Sequence, residues 1–137
     1  MAKVKCKGMK LSHTVGTTLT DIAQIIDFEE SGGGVETYDS TTLDGGVFKT
    51  YDVTGYSEPG KISGTLFYDP ALAGHQNITD IITSPATNAG KVTFADAATT
   101  TKAFTAVGHQ FGYAAAMNDG LKGNFEVQLT GDPGWPT

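Results

Sequence analysis

The residues of this chain best suited to chemistry are its three histidines, its cysteine and its many carboxylates. His13, His75 and His109 lie far apart in the sequence, and no histidine pair, nucleophile elbow or calcium-loop spacing is present. A single cysteine, Cys6, supports neither a disulfide framework nor a cysteine-rich metal site. Acid–base carboxylate pairs need a geometry that sequence spacing does not supply. We therefore expect no catalytic residue, no metal ligand and no cofactor, and we expect the histidines to be structural or exposed.

The charges are distributed unevenly along the chain. Nine lysines and no arginine face fifteen acidic residues, giving a formal charge of −6. Four lysines precede the first acid, Asp21, and the remaining five face fifteen acids, a balance of −10. The basic group comprises Lys3, Lys5, Lys7 and Lys10. Because arginine is the residue best suited to bidentate phosphate or guanine recognition, its absence disfavours tight nucleic-acid binding.

Length and composition indicate one β-rich domain spanning residues 1–137. The chain is long enough for a single core, and seven Phe, five Tyr and one Trp favour a folded protein. Eighteen glycines and the lack of a long helical pattern favour β structure. The basic start lacks the apolar segment of a signal peptide, and no apolar run is long enough to span a membrane. We therefore expect synthesis and folding in a reducing cytoplasm.

The clearest local pattern is a β-hairpin from Lys102 to Thr130 around the turn Asn118-Asp119-Gly120. Asp-Gly supplies the positive-φ residues of a tight primed turn. Alternation after the turn puts one set of residues on the buried face, namely Leu121, Gly123, Phe125, Val127 and Leu129. Residues 102–117 are apolar on both faces. That strand is either covered on both sides within the chain or buried against another chain.

Further patterns predict the other elements. Strands are expected at residues 21–29, 35–38, 61–68 and 91–96, with a glycine run after the first. One helix is expected at about residues 70–84, because Asp69 would cap it and Pro70 suits the first helical position. Its buried face would carry Leu72, His75, Ile78 and Ile82. The prolines of residues 131–137 indicate a C-terminal tail outside the central sheet.

Two segments are candidates for contact with other chains. Residues 39–60 predict a long protruding loop with too many apolar residues for solvent, so we expect it to bury them in another subunit. Those residues are Leu43, Val47, Phe48, Tyr51, Val53 and Tyr56. Residues 1–18 are either a weakly paired terminal strand or a flexible basic arm that docks on an acidic neighbouring subunit.

Three stretches, in their order along the chain, resemble the tail tube (major tail) proteins of long-tailed bacteriophages. They are residues 35–45 (VETYDSTTLDG), residues 51–69 (YDVTGYSEPGKISGTLFYD) with the helix after them, and residues 118–131 (NDGLKGNFEVQLTG). The resemblance covers roughly residues 20–133 and extends to the related tubes of contractile tails and type VI secretion.

This resemblance implies a mainly β fold, a two-sheet β-sandwich or barrel with one flanking helix. It also implies a structural virion protein that forms hexameric rings, which self-assemble by stacking into an acidic tail tube for DNA ejection. The expected partners are other copies of the chain, a tape-measure protein, a tail terminator and tail-tip proteins, with double-stranded DNA passing without specific binding and no membrane contact. The expected location is the virion tail. Candidate lumen acids are Asp27, Glu29, Glu36, Asp39 and Glu126.

Two other functions remain open at this stage. One is a tube subunit of a secretion or contractile-injection system, and the other is a monomeric β-sandwich binding module. An enzymatic function is not expected.

Overall fold

The structure is a computed structural model that describes residues 3–4, 6–15 and 18–136. The described residues form one helix, α1 (Ala73–Thr83), and nine strands in chain order: β1 (Lys10–Val15), β2 (Thr18–Asp21), β3 (Ile25–Ser31), β4 (Gly34–Asp39), β5 (Tyr51–Glu58), β6 (Lys61–Phe67), β7 (Asn88–Thr93), β8 (Thr101–Ala114) and β9 (Lys122–Thr130). Seven strands form one sheet in the order β2-β1-β7-β8-β9-β6-β3, and β4 pairs with β5 in a second sheet. The prediction of a mainly β, two-sheet fold with one helix is confirmed, and the sheet does not close into a barrel.

The core lies on one face of the seven-stranded sheet. Alternation along β6 and β9 places Ile62, Leu66 and Leu129 in this core with at most 1% of their surface exposed. The helix packs on β8, β1 and β2 and adds Ile78. Gly74 permits this close approach, because a Cβ at that position would lie 2.7 Å from the Asp21 carbonyl oxygen.

The predicted hairpin is formed by β8 and β9, but its turn differs from the prediction. Ala114 pairs with Lys122, so residues 115–121 form a longer loop. Neither Asp119 nor Gly120 has a positive φ, so the turn is not a primed type. The Asp119 side chain instead accepts a hydrogen bond from the Gly120 N–H at 2.8 Å and pairs with Lys122 at 3.0 Å.

Strand β8 has two halves separated by a bulge at Gly108, whose φ is +61°. In the first half, Lys102, Phe104 and Ala106 are buried and the intervening residues are exposed or half-buried. Beyond the bulge most residues are exposed. The second face of β8 is thus not covered within the described chain.

The N-terminal half decides one open alternative and departs from one prediction. Residues 10–15, expected in either a weakly paired terminal strand or a flexible arm, form β1 between β2 and β7, and Leu11 and His13 are buried. The expected strand at 21–29 is interrupted at residues 22–24, where Gln24 has a φ of 63°. Ile22 turns into the core, and its N–H donates to the Leu11 carbonyl at 2.8 Å.

The helix is shorter than predicted. Asp69 forms a turn by accepting the Ala71 N–H at 3.0 Å, and α1 begins three residues beyond Pro70. Ile82, expected on the buried face, is 43% exposed, whereas His75 and Ile78 are buried. Strand β7 begins at Asn88, so the strand predicted at 91–96 lies at 88–93.

Candidate assembly surfaces

Part of the predicted loop at residues 39–60 is a β-ribbon, and residues 40–50 form its tip. Strands β4 and β5 pair from Gly34–Glu58 to Asp39–Tyr51, with a bulge between Val35 and Thr37. Hydrogen bonds continue into the tip, where the Ser40 N–H donates to the Thr50 carbonyl at 2.9 Å. Residues 51–58 of the predicted loop are therefore strand β5, which pairs with β4 rather than with the main sheet.

A side-chain hydrogen bond forms at the start of the ribbon tip. The Asp39 carboxylate accepts a hydrogen bond from the Thr41 N–H at 3.0 Å. Hydrogen bonds from the Thr41 side chain and backbone lower the pKa of Asp39 below its usual value. The tip then reverses with the Gly45 N–H donating to the Thr42 carbonyl at 3.2 Å.

All six predicted loop residues are exposed on this ribbon. Leu43, Val47 and Phe48 at the tip have 87–109% of their surface exposed. Tyr51, Val53 and Tyr56 on β5 are exposed by 61–74%, and Val35 and Tyr38 on β4 are also exposed. Contiguous exposed apolar area of this kind marks interaction sites in folded proteins. The ribbon is therefore the first candidate assembly surface.

The ribbon and the β8–β9 loop lie at opposite ends of the main sheet. Near the ribbon, the Leu129 N–H donates to the Gly60 carbonyl at 3.0 Å. At the other end of β6 and β9, the Tyr68 N–H donates to the Leu121 carbonyl at 2.8 Å. That end carries a second exposed group, formed by Phe67, Tyr113 and Met117.

Three predicted lumen acids share one surface, the face of β3, β6, β9 and β8 opposite to the core. The register aligns Glu29, Ser63, Glu126 and Gln110 in one row across the four strands. A second row contains Asp27, Thr65, Asn124 and Gly112. These rows line a shallow concave surface, which we call the acidic face.

One acid on this face is paired with a cation. The Lys61 ammonium lies 2.9 Å from the Glu126 carboxylate. The hydrogen bond from Lys61 to Glu126 and the charge of Glu126 raise the pKa of Lys61. Asp27 and Glu29 are exposed, and neither forms an ion pair among the described residues. Glu36 and Asp39 lie on β4 of the ribbon, away from this face.

The predicted arm lysines have separate positions. Lys3 and Lys7 are exposed, whereas Lys10 is on β1 and lies 3.9 Å from Asp21. Lys5 is outside the described residues.

The structure brings the histidines together, which sequence spacing did not indicate. His13 Nε2–H donates to the Gly74 carbonyl at 2.9 Å, and its Nδ1 accepts from Asn77 at 3.1 Å. His75 Nδ1 accepts the Asp69 N–H at 3.0 Å, and its Nε2–H donates to the Ala23 carbonyl at 2.7 Å. These bonds attach α1 to β1 and to the β2–β3 connection.

Burial makes the imidazoles of His13 and His109 resist protonation. Burial lowers the pKa of His13 to about 4, opposed by its backbone bond to Gly74 and assisted by the nearby His109 and His75. Burial also lowers the pKa of His109, whose Nδ1 has no hydrogen-bond partner in the described chain. Both hydrogen bonds of His13 are compatible with the neutral ring. This histidine therefore has a structural role, one of the two outcomes expected from the sequence.

A buried ion pair was also missed from the sequence. Lys102 is 1% exposed, and its ammonium contacts Glu30 at 2.8 Å. The same ammonium lies 4.5 Å from the centroid of the Trp135 ring. The C-terminal tail, residues 131–136, thus covers a charge pair that joins β8 to β3. The sequence placed Lys102 at the start of a strand expected to be apolar on both faces, and it indicated neither the burial of this lysine nor its partner.

Within the described residues, no group of His, Cys, Asp and Glu could hold a metal ion. In the same part of the chain, no helix is long and apolar enough to cross a membrane.

The fold is shared with chains of solved tail assemblies. A chain in the tail of an empty gene transfer agent (GTA) particle, refined with C6 symmetry, is similar with a TM-score of 0.76 at 15% identity, covering 93% of this chain and 94% of that chain. A chain in the virion of the native GTA particle has a TM-score of 0.74 at 15% identity with the same coverage. A chain in the six-fold symmetrised baseplate of the anti-feeding prophage (AFP) has a TM-score of 0.68 at 12% identity, covering 96% of this chain and 94% of that chain.

These similarities confirm, at the level of the fold, the resemblance to tail-tube proteins predicted from the sequence. No family model matches the sequence, and no curated protein matches it.

Proposed function

We propose that this chain is a structural subunit of a tail tube. Copies form hexameric rings, and the rings stack into a conduit through which double-stranded DNA leaves a virion. The observation that carries the proposal is the exposed apolar ribbon, β4–β5 with its tip. A two-stranded ribbon with eight large exposed apolar side chains has no core of its own, and burial in neighbouring copies accounts for it.

Free strand edges support ring formation. β3 ends the sheet on one side. On β8, β7 pairs only with Thr101–Ala106, so the half beyond the bulge has one edge without a partner strand in the described chain. Exposed edges of this kind pair readily with another chain, and closure into a ring removes them.

The acidic face supports the role of a conduit. Asp27 and Glu29 are exposed, and the surface across the four strands is otherwise polar and uncharged apart from the Lys61–Glu126 pair. A negative wall repels phosphates and releases the polymer, whereas a basic wall would retain it through counterion release. We place this face towards the lumen of the tube.

The remaining expectations follow from this proposal. The chain acts in the virion tail after synthesis in the host cytoplasm, without catalysis or a cofactor. A tape-measure protein, a terminator and tail-tip proteins contact the tube along its lumen and at its ends.

Electron microscopy of the purified full chain at increasing concentration tests the proposal. Hollow tubes or six-fold rings are the expected result. A chain that remains monomeric at every concentration, also with its tail partners, contradicts the proposal and favours a monomeric binding module.

A second candidate is a tube subunit of a contractile-injection or secretion system. The similarity to the AFP baseplate chain favours it. Both candidates predict rings. Cargo distinguishes them, because particles of the first kind carry DNA in or behind the tube and those of the second carry protein.

A further inference from the structure

A groove lies between the root of the ribbon and the C-terminal tail. Three segments line it: the β3–β4 connection with the start of β4, the end of β5, and the tail. We call it the root groove, and its lining residues are Glu30, Ser31, Gly32, Gly33, Gly34, Val35, Ser57, Glu58, Pro59, Gly131, Asp132, Pro133 and Trp135. Val35 is 63% exposed and Trp135 is 58% exposed, so the groove offers apolar surface to solvent.

Every charged residue that lines the root groove is acidic. Glu58 is at the end of β5, Asp132 is in the tail, and Glu30 is on β3. One Glu30 oxygen binds Lys102, but Oε2 is buried and has no hydrogen-bond partner in the described chain. Because a buried carboxylate oxygen without a donor is costly, the groove is suited to an occupant that brings ammonium groups.

The N-terminal segment of the chain has the complementary pattern. Between residues 2 and 7, lysines alternate with the small or apolar residues Ala2, Val4 and Cys6. In an extended conformation this alternation puts lysines on one face and apolar side chains on the other. Val4 is 55% exposed, and neither Lys3 nor Lys7 forms an ion pair among the described residues.

We propose that the root groove binds the lysine-rich N-terminal segment, residues 2–7, of a second copy of this chain. Val4 and Cys6 contact the apolar floor, and the lysines reach Glu58, Asp132 and the unpartnered oxygen of Glu30. The exposed part of the Trp135 ring adds a cation–π contact for a lysine. This contact rests on the proposed function, and it names which surface of one subunit holds the arm of the next.

Within one chain, the residues after the segment pack elsewhere. Residues 6–9 form a turn in which the Met9 N–H donates to the Cys6 carbonyl at 3.1 Å. Gly8 lies beside Ala95, in the connection between β7 and β8. We therefore assign the groove to the segment of another copy.

The single cysteine provides a direct test, because Cys6 is exposed and lies within the segment. A Val35→Cys variant of the full chain places a second thiol in the groove. After mild oxidation under assembly conditions, we expect a disulfide-linked ladder on a non-reducing gel. Peptide mapping should show that the disulfide joins Cys6 of one copy to the thiol introduced at position 35 of another. The matched control is Ile82→Cys, on the exposed face of α1, which yields no ladder above the wild type.

The outcomes separate the contact from the tube function. Rings or tubes of the Val35→Cys variant that form without this disulfide ladder overturn the contact and leave the proposed function standing. A disulfide between Cys6 and the introduced thiol that is found only within monomers assigns the groove to the chain's own segment and also overturns the contact. A wild-type chain that never assembles overturns both.

Charge reversal provides a second test, which asks whether the disulfide ladder depends on the proposed ion pairs. In the Val35→Cys background, Lys3→Glu with Lys7→Glu should lower the ladder yield about tenfold at low salt, because several rim ion pairs are lost together. Adding Glu58→Lys and Asp132→Lys to the same chain should restore the yield. Lys91→Glu, on β7, is the matched control. An unchanged yield in the arm variant, or no recovery in the swapped variant, contradicts the proposal.

Discussion

The hydrogen bonds of His13 make the stability of the folded state depend on pH. The neutral ring accepts from Asn77 and donates to Gly74, and a second proton on Nδ1 would face the Asn77 amide hydrogens. Protonation therefore breaks the attachment between β1 and α1. The lowered pKa of His13 follows chiefly from its burial, with smaller effects from His109 and His75.

The first prediction concerns stability between pH 6.5 and pH 4. The pKa of His13 falls from 6.5 to about 4 on folding, so in this window the unfolded chain binds more protons. The free energy of unfolding should fall by about 3 kcal/mol as the pH falls across the window, as measured by chemical denaturation. Burial also lowers the pKa of His109, so this histidine acts in the same direction within the window. The lowered pKa values of Asp39, Asp96 and Asp119 act mainly below this window.

The His13→Gln variant provides the comparison. It should be less stable at pH 7 because it loses native hydrogen bonds, but its stability should depend less on pH between 6.5 and 4. A variant profile as steep as that of the wild type would show that other groups cause the acid sensitivity.

The buried pair of Lys102 and Glu30 leads to the second prediction. Removing one partner leaves a buried charge without compensation, so Lys102→Met should lower the free energy of unfolding by about 3–5 kcal/mol. Lys102→Met combined with Glu30→Gln should recover much of that loss. The control is Lys61→Met, which breaks the more exposed pair with Glu126 and should cost far less stability. Equal losses in the two single variants would contradict this assignment.

The sequence could not predict which side chains from distant segments contact each other. The histidines are separated by tens of residues, and their proximity arises only because α1 packs across β1. The same holds for Glu30 and Lys102, which are 72 residues apart. Alternation indicates which face a side chain lies on, but it does not identify the side chain it meets.

At the level of elements, the tip of the ribbon is available for assembly and is not needed for the packing of the core. Its tip residues contribute nothing to the core, because Leu43, Val47 and Phe48 are almost fully exposed. Deleting residues 43–56 would remove most of β5 and unpair β4, since β5 spans Tyr51–Glu58. Substitution at the tip is therefore a sharper experiment than deletion.

The third prediction is that Leu43→Ser, Val47→Ser and Phe48→Ser together abolish tubes without unfolding the subunit. Since these side chains are solvated in the monomer, the melting temperature should change by no more than a few degrees. Size-exclusion chromatography and electron microscopy should show only monomers or small oligomers. Ile82→Ser, at an exposed position on α1, is the control and should assemble normally. Normal tubes from the triple variant would remove the ribbon from the interface.

Elements with strict alternation were predicted well from the sequence, and irregular connections were not. β6 and β9 each follow a period of two, and both match their predicted faces. The run at 21–29 has the same period, but Gln24 adopts a left-handed conformation that ends one strand and starts another. Similarly, Asp-Gly favours a tight turn, yet pairing continues only to Ala114 and Lys122. In both cases tertiary packing, not the local sequence pattern, determines the backbone conformation.

At the level of the whole molecule, the acidic face predicts the response to DNA. Glu29→Lys reverses one charge on this face in every copy of a ring, so assembled tubes should bind DNA at least about tenfold more tightly at low salt. The affinity should fall steeply as salt is raised, in a gel-shift or filter-binding assay. Asp80→Lys, an equal charge change on an exposed part of α1, is the control. If both variants bind DNA equally, the acidic face does not line the conduit.

The position of the ribbon gives any stack of these subunits a direction. The ribbon leaves the sheet beside Gly60, and the β8–β9 loop lies at the far end beside Leu121. A tube built by repeating one such contact therefore ends in free ribbons on one side and in bare hairpin loops on the other. In such a tube, growth at the two ends would proceed from chemically different surfaces. A protein that starts the tube and one that stops it would then have to recognise different surfaces, so the first ring would already set the direction in which the length is controlled.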